Sequence, residues 1–181
     1  MENYGPLAAL IGTWEGGNGM DVAPESQGIE SNPYYETIVF EAGGDVTNAE
    51  KQKLMIVPYI QIVRRKSNDE VFHHQTGYWL WDPATGVVMQ SLSIPRGLTL
   101  LAGGEANETD GTVTLSVKSA VDDPDWGIVQ SPFMRENAKT TSFVHTISVT
   151  GDEMRYSETT MLEIYGSEFP HTDDNQLVRV S

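Results

Sequence analysis

The chain carries four histidines, His73, His74, His145 and His171, and no cysteine. Imidazole is therefore its first candidate for metal ligation or proton transfer near neutral pH, and thiolate metal sites, disulfides and cysteine nucleophiles are excluded. His73 and His74 are adjacent in a segment that reads as a strand, so their side chains point to opposite faces and cannot grip one ion together. His145 falls in register with Phe143 and Ile147, the pattern of a core or cavity-wall histidine. His171 follows Pro170 and precedes Thr172, Asp173, Asp174 and Asn175, just before the last apolar segment. From spacing alone it reads as an exposed histidine rather than a ligand.

Other chemistries find less support. The glycine-rich residues 12–19 include no lysine and lead into no helix, so they do not make a phosphate-binding loop. Asp122, Asp123 and Asp125 open like a calcium loop, but Pro124 interrupts them and no closing glutamate stands at the required spacing. No serine sits in a Gly-x-Ser-x-Gly elbow, and no carboxylate pair can be singled out as acid and base. With 26 acidic against 11 basic residues, a formal charge of −15 repels phosphate backbones and anionic lipid headgroups. We expect no nucleic-acid and no membrane partner. Met1-Glu2-Asn3-Tyr4 lacks the basic start of a signal peptide, and no apolar run approaches the ~20 residues of a membrane span. The expectation is a soluble, cytoplasmic protein whose 181 residues form one domain, 1–181. Its oligomeric state is not legible.

The elements that must position these residues are mostly short strands. Leu7, Leu10 and Ile11, after Pro6, fit a short N-terminal helix or turn. Gly12-Thr13-Trp14 then enters a glycine-rich strand, in which glycines let the chain bend and an indole can plug a closed barrel end. Between Asp21 and Pro33 the chain is polar with no apolar period, and it reads as a loop inserted after the first strand. Apolar segments follow at 35–41, 54–64, 72–81, 87–94, 98–102, 113–117, 140–149, 154–165 and 177–180, divided by turn residues such as Asp110-Gly111 and Gly151-Asp152. Val113, Leu115 and Val117 alternate with Thr114 and Ser116, one apolar face and one polar. The acidic stretch from Asp122 to Asn137, with Pro124, Pro132 and Trp126, reads as irregular backbone with one small anchor. The fold class is all-β, an antiparallel meander of about ten strands closing as an up-and-down β-barrel.

Three segments in order resemble the nitrobindin-type haem-binding β-barrel family, a calycin-like group related in shape to fatty-acid-binding proteins. They are Gly12-Thr13-Trp14-Glu15-Gly16, His73-His74-Gln75-Thr76-Gly77-Tyr78-Trp79, and Met161 with His171 ten residues later before Leu177 to Arg179. The resemblance implies a ten-stranded barrel holding one haem b, with His171 as the proximal iron ligand. His73 matches the distal-side histidine, Phe72 the residue before it, and Met161 a methionine near the proximal face. It also implies ferric iron open on one side, which binds nitric oxide and isomerises peroxynitrite to nitrate. The chain departs from the pattern at Gln75, where glutamate is usual, at Thr172, where leucine is common, and in the polar stretch after residue 21. The competing readings are a haem-free carrier that uses the same cavity for a fatty acid or another small apolar molecule, and a small interaction domain whose barrel is filled by its own side chains.

Overall fold

Period-two alternation broken by Gly, Asn and Asp produces antiparallel strands, and the computed structural model, which describes residues 3–181, contains twelve of them. They are β1 (Gly12–Glu25), β2 (Gly28–Phe40), β3 (Asp45–Asn48), β4 (Gln52–Arg65), β5 (Val71–Trp81), β6 (Val88–Ile94), β7 (Leu98–Thr109), β8 (Thr112–Ala120), β9 (Ile128–Gln130), β10 (Ala138–Thr150), β11 (Glu153–Ile164) and β12 (Ser167–Arg179). Ten close into an antiparallel barrel, with β12 beside β1 and β2 beside β4, while β3 and β9 are short additions on β4 and β7. The turn joining β7 to β8 puts Asp110 at φ 50° and Gly111 at φ 77°, the paired left-handed residues of a two-residue hairpin. Met1 and Glu2, on which the signal-peptide reading drew, lie outside the described residues. Among those residues no helix is long and apolar enough to cross a membrane.

One end of the barrel is plugged. A 3-10 helix at Gly5–Ala9 drops Leu7 under it, and Leu7, Leu10, Trp14, Trp79, Val57 and Val88 are all fully buried there. Trp14 donates its indole N–H to the Leu10 carbonyl at 2.7 Å, so the plug residue is fixed to the helix it supports. The Arg179 guanidinium lies 4.2 Å over the Trp14 ring and also donates to the Ala9 and Ile11 carbonyls. The last strand is thereby tied to the first turn of the chain.

The glycine-rich entry does more than bend. Gly16 pairs with Glu36 and Gly19 with Tyr34, so β1 spends three residues where β2 spends two; the same slip occurs against β12, between Glu15 and Met20. This β-bulge reverses which residues face inward. Trp14 and Gly16 are buried before it, Gly19 and Asp21 after it. A second bulge leaves Phe72 unpaired, because Val63 pairs with His73 and Arg64 with Val71.

Two sequence expectations are corrected. Residues 21–33 are not an inserted loop: Asp21 pairs with Asn32, Val22 with Ser31, Ala23 with Glu30 and Glu25 with Gly28, so β1 and β2 continue as a hairpin. Its faces carry small and polar side chains, which erases the apolar alternation by which a strand is read. Residues 171–175 likewise do not precede the last strand but lie within β12, paired with β11 through Thr160↔His171 and Tyr156↔Asn175. The stretch from Asp122 to Asn137 holds β9 and a short helix, α1 (Pro132–Asn137), capped by the Ser131 hydroxyl accepting from the Met134 N–H. Trp126 is its anchor: a Cβ on Gly103 would meet the indole at 2.2 Å, so only glycine lets the ring lie on β7.

Candidate functional site

Above the apolar plug the barrel interior changes character twice. A polar floor comes first. The Tyr59 hydroxyl accepts from Gln75 Nε2 at 2.7 Å and Gln90 Nε2 at 3.0 Å, and Gln90 Oε1 accepts from His145 Nδ1 at 2.9 Å. On the other side of the floor the buried Glu36 carboxylate accepts from Asn175, Tyr156 and Gln61, and Tyr156 shares a 2.7 Å bond with Tyr34. Three donors satisfy this carboxylate, although burial still lifts its pKa above the ordinary value.

Beyond the floor lies a cavity of about 650 Å³, within the usual range for sites that enclose a small organic molecule. Its apolar wall includes Val63, Phe72, Leu92, Leu100, Phe143 and Leu162. The β1–β2 hairpin contributes Ala23 and Pro24 to the lining, and α1 contributes Phe133 and Met134.

One arc of the wall is acidic, and register explains it. Cross-strand pairing runs Asn32, Asp21, Asp173, Glu158, His145 across β2, β1, β12, β11 and β10, with all five side chains on the inner face. Asp21 reaches this row only because the bulge has inverted β1. His171, two residues along β12 from Asp173, places Nε2 2.7 Å from Asp21 Oδ1 and 3.7 Å from Asp173 Oδ2.

The electrostatics follow from burial working against neighbours. Burial opposes ionisation of Asp21, yet hydrogen bonds from His171 and Asn32 outweigh it and hold the carboxyl below its ordinary pKa. Burial likewise opposes the His171 imidazolium, but the Asp21 bond and the charges of Asp173, Asp21 and Glu158 raise its pKa. Glu158 is helped only by the charge of His171. Burial, then the charges of Asp173 and Glu36, push it up to about 8. Asp173 is raised to about 7 by burial and its acidic neighbours, despite His171.

The sequence candidates divide. His171, His73 and Phe72 all line the cavity. His73 shares a 3.2 Å bond from Nε2 to Gln75 Oε1, and burial lowers its pKa, so it is a neutral imidazole. Glutamine at position 75 accepts this proton without adding a charge. His74 points the other way, as adjacency required, since His73 shares its face with the buried Gln75 and Trp79. His145 belongs to the floor; burial drives its pKa down to about 3 and keeps it neutral. Met161, which the resemblance puts near the proximal face, is not among the cavity-lining residues, whereas Thr160 and Leu162 on either side are. Inward positions on β11 are even-numbered, as the buried Met154 and Tyr156 already show. Sequence reasoning missed Asp21, Glu158, Asp173, Arg65 and Arg96, all of which line the cavity.

The donor set suits haem iron. Asp21 takes one nitrogen of the His171 ring, and Nδ1 has no hydrogen-bond partner among the described residues. An imidazole that ligates a metal through one nitrogen commonly has the other held by a carboxylate, which orients it and raises its basicity. The apolar wall meets the requirement of a porphyrin face.

The model of the THAP4-like, heme-binding beta-barrel domain family matches residues 3–179. Among solved structures, the crystal structure of Rv2717c from M. tuberculosis superposes with a TM-score of 0.72 at 23% identity, covering 97% of this chain and 98% of that one. At that identity the likeness carries the fold alone.

Proposed function

Since the chain belongs to the THAP4-like haem-binding β-barrel family, we propose that its cavity holds haem b, with His171 as the axial ligand and His73 on the distal side. The observation that carries this reading is the placement of His171: on the wall of a largely apolar cavity, one ring nitrogen held by Asp21 at 2.7 Å and the other unengaged. Ferric haem bound there supplies an iron centre for nitric oxide and for the rearrangement of peroxynitrite to nitrate.

The chain's own groups set the surroundings. Val63, Leu92, Leu100 and Phe143 give the cavity an apolar wall that would exclude water from a bound porphyrin. His73 stays neutral, with Nε2–H committed to Gln75, so it places a polar but uncharged ring beside an incoming ligand. Asp21 orients His171.

Haemin titration of the purified protein tests the proposal. The Soret band is expected to sharpen and saturate at one equivalent. A featureless, non-saturating response would overturn haem binding and leave the carrier reading for an apolar molecule. His73→Ala is expected to keep that saturation while changing nitric oxide rebinding or peroxynitrite turnover; identical kinetics would remove His73 from the site.

A further inference from the structure

Two of the chain's 11 basic residues, Arg65 and Arg96, line the cavity, and both lean on Phe72. The inward alternation of β4 through Tyr59, Gln61 and Val63 ends on Arg65, whose guanidinium lies 4.8 Å over the Phe72 ring. Arg96, in the turn between β6 and β7, donates to the Phe72 carbonyl at 3.2 Å. The unpaired position of Phe72 in β5 brings the two together.

Neither cation is well compensated. In a chain with 26 carboxylates, none lies within ion-pair distance of Arg96 among the described residues. Arg65 meets only Glu70, at 3.4 Å, and the Glu70 side chain is 60% exposed. Such a contact contributes little. The Arg65 Nε is buried without any hydrogen-bond partner. A guanidinium that lines the cavity with one N–H left unmatched and only an exposed carboxylate for company is a cation short of counter-charge.

We infer that Arg65 and Arg96 form a subsite for the carboxylate end of an amphipathic ligand whose apolar body fills the cavity. Two ligands share that chemistry. One is a porphyrin, through its propionates, and in that form the inference rests on the proposed haem function; the other is a long-chain fatty acid. The acidic arc of Asp21, Asp173 and Glu158 on β1, β12 and β11 offers a carboxylate no cation except His171, which Asp21 already engages at 2.7 Å, so the arginines are the end of the cavity toward which a carboxylate turns.

The test compares haemin with haemin dimethyl ester, which has no free carboxylate, by Soret titration of the wild type, Arg96→Met and Arg65→Met/Arg96→Met. The wild type is expected to bind haemin about tenfold more tightly than the ester, and the double variant to bind both alike, since charge-assisted hydrogen bonds carry effects of that order. Raising ionic strength should shrink the wild-type preference. Equal wild-type affinity for the two porphyrins, or a preference retained by the double variant, overturns the subsite. Arg96 is exposed, so Arg96→Met keeps the test intact if Arg65→Met does not fold; alone it should lose about threefold of the preference, and no loss counts against the subsite. If neither porphyrin saturates, the haem reading has failed separately, and palmitate is compared with methyl palmitate. A preference for the acid that disappears in the variants keeps the subsite, and no preference overturns it.

Discussion

Replacing His171 with alanine is expected to lower haemin affinity by roughly a hundredfold or more, because removing only the outer partner of a metal-bound histidine costs about 10–100-fold and the ligand itself should cost at least as much. The barrel should remain folded, since the side chain is 29% exposed and its hydrogen bond is to Asp21 alone. Asp21 would then lose its cationic partner, keep Asn32, and respond by taking up a proton more readily. A melting temperature within a few degrees of wild type is consistent with this. Asp21→Asn leaves the imidazole in place and removes only its carboxylate, for an expected loss of about tenfold. Unchanged haemin affinity in His171→Ala would sink the ligand assignment, and equal losses in both variants would shift weight from the imidazole to the ion pair.

Glu158→Gln should have the largest effect on stability, and in an unusual direction. Its folded pKa of about 8 lies well above the ordinary carboxylate value. It is faced by Asp173 and His171 from β12, Glu36 from β2, and His145 Nδ1 at 3.7 Å from β10. Between the unfolded and folded values the native state retains a proton that the unfolded chain has released. The contribution is therefore fully present below the unfolded pKa, near 4.5, and is lost as pH rises through about 8. The wild-type ligand-free protein should become less stable across that window by a few kcal/mol. Glutamine holds the neutral form permanently. The variant should show a flatter melting profile and exceed the wild type by several degrees above pH 8. Parallel profiles for the two proteins from pH 5 to 9 would show that Glu158 ionises freely in the native state.

The sequence was readable where side chains face the plug and unreadable where they face the cavity. Val113, Leu115 and Val117 announce β8 because their inward partners are apolar. Trp14 at the closed end and Trp126 as an anchor follow from the same logic. β12 escaped because its inward positions are His171, Asp173 and Asn175, so the face turned inside carries no hydrophobic signal. Glu158 was within reach: it continues the inward series of Met154 and Tyr156, and that series also placed Met161 on the opposite face. Asp21 was not, because its direction depends on where β1 slips against β2 and β12, and the β12 partner lies about 150 residues away in the chain.

That slip makes the first strand a two-sided tape whose reading side is chosen by a single residue. Straightening β1 at constant length, so that it alternated regularly from Gly16 without the bulge, would leave Trp14 seated and turn the tape over beyond it, presenting Met20, Val22 and Pro24 where Asp21 and Ala23 now stand. The acidic arc would lose Asp21 and gain a thioether, and His171 would lose the carboxylate that holds it. Whether this glycine run bulges therefore separates a barrel with a carboxylate-held histidine from one with a sulfur-lined wall, so the local backbone path sets the chemical character of the pocket.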